Sequence, residues 1–88
     1  MKTLTELYQY FDELVFNDAD ADVLFASSYL KGFIALEAVH FGDEQQTLSS
    51  ALAEKVENQI SNNKTELTPQ DQVIVNNYWI SIKTHFNQ

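Results

Sequence analysis

The strongest constraint in this sequence is the recurrence of apolar side chains at every third or fourth position along four separate segments. This spacing places the apolar side chains on one face of an α-helix, and no segment shows the alternation of apolar and polar residues typical of a strand. Amphipathic helices joined by short connections bury their apolar faces against one another. The sequence therefore predicts an all-α fold, a compact antiparallel four-helix bundle with no sheet, as a single domain over residues 1–88.

The boundaries of the helices follow from start and stop signals. The predicted helices span about residues 3–16, 22–41, 45–62 and 69–86. Thr3 and Glu6 form a capping box, and Thr68 followed by Pro69 is a typical N-terminus. Gly42 suits the end of the second helix. The second segment has the widest apolar face, which predicts a central helix with more than one neighbour.

Composition excludes several classes of protein. There is no cysteine, so disulfides, thiol nucleophiles and thiolate metal sites are absent. The N-terminus does not resemble a signal peptide, and no run of about 18 apolar residues could span a bilayer. A net charge of −8 with no arginine disfavours nucleic acid and anionic membranes as partners. These features predict a cytoplasmic protein that needs no cofactor.

An acidic patch is predicted near the first connection, because residues 1–44 carry nine acids against two lysines. Its members are Asp12, Glu13, Asp18, Asp20 and Asp22. The patch is interpreted either as a solvated face or as a surface for a partner. Its three aspartates at alternate positions match the start of a calcium-binding loop, but Val23 replaces the required glycine and Tyr29 the required glutamate. Helix capping is therefore the favoured role of these aspartates.

A second candidate surface lies on the last helix. Val73 and Ile80 fall outside the main apolar stripe of that helix and stand one heptad apart. Together with Phe16 and Tyr10 they would form an apolar ridge. Two interpretations stay open: packing against the first helix or the chain ends, or an exposed partner or dimer surface.

One pair of residues suggests a metal site. Glu37 and His40 have the spacing found in di-iron carboxylate bundles, where both side chains lie on one helical face. The chain holds a single copy of this motif, so a complete site would need a homodimer. A structural hydrogen bond near a helix end is the favoured interpretation.

No catalytic motif is found. Ser27 and Ser28 lack the glycines that surround a nucleophilic serine in hydrolases. Tyr78 and Trp79 could stack on bases, but without a basic groove they are better explained as core residues. The chain is therefore predicted not to be an enzyme.

Two stretches resemble a known family. Residues 22–32 (DVLFASSYLKG) and 66–75 (ELTPQDQVIV), the latter followed by Trp79, are similar in order and spacing to the YfcL-like family of small gammaproteobacterial proteins. The resemblance implies a small cytosolic protein and provides no catalytic residues to assign.

These observations favour a non-enzymatic module that binds another protein through the acidic patch or the apolar ridge, as a monomer or a homodimer. The alternative is a metal-binding helical bundle that uses Glu37 and His40 and assembles as a homodimer. Mimicry of a nucleic-acid backbone is a third and weaker hypothesis, since the acids are not spread along one face.

Overall fold

The computed structural model describes residues 1–86 and contains four α-helices. They are α1 (Leu4–Phe16), α2 (Ala21–Ala38), α3 (Ser50–Asn63) and α4 (Pro69–Lys83), with a short 3₁₀-helix at Lys64–Glu66 between α3 and α4. Within residues 1–86 there is no strand, and the β-type pairing recorded there is one isolated bridge between Thr3 and Thr47. The predicted all-α fold of four helices is confirmed.

The predicted N-termini of α1 and α4 are confirmed by their capping bonds. The Thr3 hydroxyl accepts from the backbone N–H of Glu6 at 3.2 Å, and the Glu6 carboxylate accepts from the backbone N–H of Thr3 at 3.1 Å. At α4 the Thr68 hydroxyl accepts from the N–H of Asp71 at 3.1 Å. Each bond satisfies a backbone donor that the first helical turn leaves without a partner.

The second helix is central, as its broad apolar face predicts, because α2 packs against each of the other three helices. Its most deeply buried positions face the common core; they are Ala26, Ser27, Leu30, Ile34 and Ala38. Leu30 and Ile34 are completely inaccessible to solvent. Within residues 1–86 no helix is long and apolar enough to cross a membrane.

The prediction was wrong about the connection between α2 and α3. The second helix ends at Ala38 and not at 41, and the third begins at Ser50 and not at 45. Gly42 does have the expected positive φ, 130°, but it lies beyond a turn that follows the helix.

The reason is that this connection caps α1. The backbone N–H groups of Leu4 and Thr5, which have no partner within their own helix, donate to the carbonyls of Gln46 (3.0 Å) and Glu44 (2.9 Å). A helix beginning at 45 would need the Gln46 carbonyl for its own first turn. Ser49 provides the actual N-cap, since its hydroxyl accepts from Leu52 N–H at 3.1 Å.

The end of α4 and the exposure of one residue on α1 also differ from expectation. The fourth helix ends at Lys83, three residues early, although Phe86 is still buried with its ring centroid 5.3 Å from that of Trp79. Val15 belongs to the apolar stripe of α1 by spacing, yet it is exposed. The apolar spacing along a helix can therefore include residues that no neighbouring helix covers.

Candidate protein-interaction surface

All five members of the acidic patch (Asp12, Glu13, Asp18, Asp20 and Asp22) are exposed, as a protein-binding surface would require. Two of them have a structural role. Asp20 is the N-cap of α2, and its carboxylate accepts from the N–H of Asp22 at 3.2 Å. Asp18 occupies the left-handed region with φ 53°, a conformation that aspartate and asparagine tolerate better than most residues.

Little positive charge offsets this patch. The Lys31 ammonium lies 3.8 Å from the Asp12 carboxylate, but both side chains are substantially exposed. Exposed pairs of this kind contribute about 0–1 kcal/mol. Lys31 also lies over the ring of Tyr8, 5.4 Å from its centroid. Lys31 therefore neutralises little of the negative charge of the patch.

The ridge residues on α4 face solvent. Val73 is 57% exposed and Ile80 is 64% exposed, whereas Val75, Trp79 and Ile82 on the opposite side of the helix are buried. This observation favours the partner-surface interpretation of the ridge over internal packing, because no part of residues 1–86 covers it.

The other two residues suggested for the ridge differ in their exposure. Phe16 is 90% exposed at the last residue of α1. Tyr10 is half-buried and packs against the core, with its ring centroid 6.2 Å from that of Phe11. Tyr10 is thus a core-edge residue, whereas Phe16 adds apolar surface beside the acidic patch.

The acidic patch and the α4 ridge adjoin each other. Asp22 at the start of α2 and Asn77 in the middle of α4 line the same shallow pocket of about 220 Å³. Asn77 is exposed and lies four residues after Val73 and three before Ile80, so it neighbours both on the helix surface. Asn77 links the two surfaces, and sequence reasoning missed it because the contact between α2 and α4 is tertiary.

Glu37 and His40 do not share a helical face. Because α2 ends at Ala38, His40 lies in the following turn, where it is exposed. The Glu37 carboxylate instead accepts from the Gln59 side chain of α3 at 2.7 Å. No group of three or more metal-ligating side chains occurs within residues 1–86. The Glu37 side chain therefore has a structural hydrogen bond, but its partner is Gln59 of α3 and not the imidazole of His40.

The residues considered for catalysis and for base stacking have structural roles. The Ser27 hydroxyl is buried and donates to the Leu24 carbonyl at 3.2 Å. Trp79 is buried, and its indole N–H donates to the Glu57 carboxylate at 3.1 Å. Lys83 pairs with the same carboxylate. Lys83 and the indole together hold the pKa of Glu57 below its ordinary value.

Burial raises the pKa of a neighbouring side chain, the phenol of Tyr78. Tyr78 is half-buried among apolar neighbours, and this raises its pKa well above the ordinary value. Its hydroxyl therefore stays protonated across the physiological range. Trp79 is buried, so its ring is not available for stacking on a base.

The fold and these surfaces define a class of protein: a small all-α protein with adjoining acidic and apolar surfaces. The chain matches the family model described as YfcL protein over residues 2–84, and it belongs to that family. No curated protein and no solved structure matches the chain. The family resemblance carried by residues 22–32 and 66–75 is thereby confirmed.

Proposed function

We propose that this chain is a non-enzymatic protein-binding module whose docking surface combines the acidic patch with the α4 ridge. The observation that carries this proposal is the shared pocket of Asp22 and Asn77, which brings one member of the acidic patch beside the helix that carries the ridge. Exposed apolar side chains bordered by charge are characteristic of protein interaction sites.

The chemistry of the surface favours a cationic, amphipathic helical segment as the partner. Covering Val73 and Ile80 would supply affinity of about 1–2 kcal/mol for each side chain. The carboxylates of the acidic patch would steer a positively charged partner and raise the association rate more than the affinity. Because the ridge residues are seven apart, a partner helix would match them with its own heptad spacing.

Two further observations concern catalysis and the cellular compartment. Ser27 is buried and hydrogen-bonded, which leaves it unsuited to nucleophilic attack. The absence of cysteine agrees with a working place in the reducing cytoplasm, which is where we expect the chain to act.

The test uses a synthetic amphipathic peptide with lysines on one face and leucines at heptad spacing on the other. Its binding is followed by fluorescence anisotropy over a series of salt concentrations. We expect the affinity to fall as salt rises, and Ile80→Ser to weaken it by about fivefold, equivalent to roughly 1 kcal/mol. Asp22→Asn should slow association and reduce the salt dependence.

Matched controls lie elsewhere on the surface. Leu36→Ser on α2 and Glu66→Gln before α4 also change an exposed apolar or acidic residue. Both controls should bind the peptide as the wild type does. Equal losses in the controls and in Ile80→Ser, or binding that does not respond to salt, would refute the proposed surface.

A further inference from the structure

A small pocket lies between the start of α2 and the middle of α4, and we call it the α2–α4 pocket. Its volume is about 220 Å³, and its lining residues are Asp22, Val23, Ile74, Asn77 and Tyr78. Pockets that hold a whole small-molecule ligand usually measure about 300–1,000 Å³. The volume of the α2–α4 pocket therefore suits one side chain of a partner better than a free small molecule.

The charge of the α2–α4 pocket is not balanced from within. Asp22 contributes a carboxylate to the lining, and no lysine accompanies it. Three larger pockets within residues 1–86 differ, because Lys83, Lys31 and Lys64 each line one of them together with carboxylates. A group that enters the α2–α4 pocket meets negative charge alone, which favours a cation.

The two polar side chains of the pocket have unused hydrogen-bonding capacity. Within residues 1–86 neither the Asp22 carboxylate nor the Asn77 amide group has a hydrogen-bond or ion-pair partner. The bond recorded for Asp22 at this end of α2 is made by its backbone N–H, which donates to the Asp20 carboxylate. A ligand can therefore use the carboxylate oxygens and the amide oxygen as acceptors without breaking any bond inside the protein.

The position of Asp22 in the first turn of α2 raises one opposing effect. The N-terminus of a helix carries the equivalent of about half a positive charge, which repels a cation. Asp18, Asp20 and Asp22 place three carboxylates at or just before this turn, and all three are exposed. Their summed negative charge exceeds that of the helix dipole, so attraction of a cation prevails.

The remaining wall of the pocket is apolar. Val23 and Ile74 are half-buried, and each contributes an aliphatic side chain. The Tyr78 hydroxyl is inaccessible to solvent, so Tyr78 presents no polar side-chain atom to the pocket. A wall of this kind packs against the aliphatic stem of a long basic side chain while the charged head group reaches the polar end.

We propose, on the basis of the proposed function, that the α2–α4 pocket receives one arginine side chain of the cationic partner. The guanidinium donates two parallel N–H bonds to the Asp22 carboxylate and a third N–H bond to the Asn77 amide oxygen. Its stem lies on Val23 and Ile74. Lysine fits less well, because an ammonium is a point charge and cannot form the bidentate pair.

The pocket also fixes what surrounds this arginine in the partner. Asn77 lies four residues after Val73 and three before Ile80, so an arginine seated there stands between the two ridge contacts. The partner helix therefore carries its arginine three or four residues from each of two apolar residues that are a heptad apart.

Nitrogen-15 NMR of the full chain, titrated with N-acetyl-arginine amide, tests the pocket without any helical peptide. We expect saturable shifts, in the millimolar range, of the Asp22 backbone amide and the Asn77 side-chain amide. N-acetyl-citrulline amide, which has the same shape without the charge, should leave both resonances in place, and N-acetyl-lysine amide should shift them less. Asp22→Asn should abolish the response.

Asp18→Asn is the matched control, because it removes the same charge from the acidic patch at a residue that does not line the pocket. It should keep the response to arginine, and circular dichroism checks that both variants keep their helix content. Equal shifts with the citrulline or lysine compound, shifts spread evenly over the acidic patch, or equal losses in Asp18→Asn and Asp22→Asn would each overturn the proposal.

The synthetic peptide of the proposed function provides a second test, with one residue between two leucines made arginine or citrulline. The arginine peptide should bind wild type about fivefold more tightly than the citrulline peptide, and Asp22→Asn should reduce that ratio to below about twofold. Peptide binding with no preference for arginine would refute the arginine pocket and leave the proposed function standing. A response to N-acetyl-arginine amide without binding of any peptide would support the pocket and refute the proposed function.

Discussion

Replacement of Glu57 by alanine should destabilise the junction between α3 and α4 more than its partly exposed position suggests. The Glu57 carboxylate accepts from the buried Trp79 indole at 3.1 Å and pairs with the Lys83 ammonium. Removing it leaves the indole N–H without its partner in a largely buried position, because Trp79 is 4% exposed.

The magnitude follows from the two contacts. A buried donor left unsatisfied costs about 1–3 kcal/mol, whereas an exposed ion pair contributes about 0.2–1 kcal/mol. Glu57→Ala should therefore lower the free energy of unfolding by about 1–3 kcal/mol, and Lys83→Ala by less than 1 kcal/mol. In a domain of this size each kcal/mol lowers the Tm by roughly 4–8 °C.

The contribution of Glu57 also depends on pH in a defined direction. Its pKa is lowered in the folded protein, chiefly by Lys83, from an ordinary value of 4.5. The stabilisation is therefore complete above about pH 4.5 and is lost as the pH falls through the folded pKa. The difference between wild type and Glu57→Ala should narrow over the same acidic range.

The assay is urea unfolding followed by the fluorescence of Trp79, the single tryptophan, and by circular dichroism. Glu54→Ala, one turn earlier on α3 at an exposed acid, is the matched control and should change the stability by less than about 0.5 kcal/mol. The reasoning fails if Glu57→Ala costs no more than Glu54→Ala, or if Lys83→Ala costs more than Glu57→Ala.

Two further predictions concern the helix start and the core. Thr3→Ala removes the hydroxyl that caps α1 and should cost about 1 kcal/mol in urea unfolding; Thr3→Ser, which keeps a hydroxyl, should recover most of that loss. Leu30→Ala, at a completely buried position on the central helix, should cost about 2–5 kcal/mol in the same assay, and a cost below 1 kcal/mol would contradict its place in the core.

The local signals in the sequence predicted most of the fold. Capping at Thr3 and at Thr68 was recognisable because the chemistry is complete within four residues of chain. The central place of α2 was recognisable because an apolar face too wide for one neighbour needs several. The caps and the wide apolar face are properties of single segments, so they can be predicted without knowing which residues pack against them.

The error about the start of α3 has a tertiary cause. The carbonyls of Glu44 and Gln46 bond to the first turn of α1, some forty residues away along the chain, and this contact keeps the segment out of α3. His40 was placed on a helix that ends two residues earlier. No local pattern distinguishes a carbonyl that bonds within its own helix from one that bonds across the fold.

The candidate surfaces divide in the same way. The sequence alone determined which residues are acidic, which apolar residues fall outside the main stripes, and that the chain folds into helices. Charge, hydrophobicity and helical period are properties of the order of residues in the chain. Only the tertiary structure decided that Val73 and Ile80 stay uncovered, that Asp22 and Asn77 line one pocket, and that there is open space above Gly32. Exposure is a relation between segments distant in the chain, so it exists only once the helices have packed.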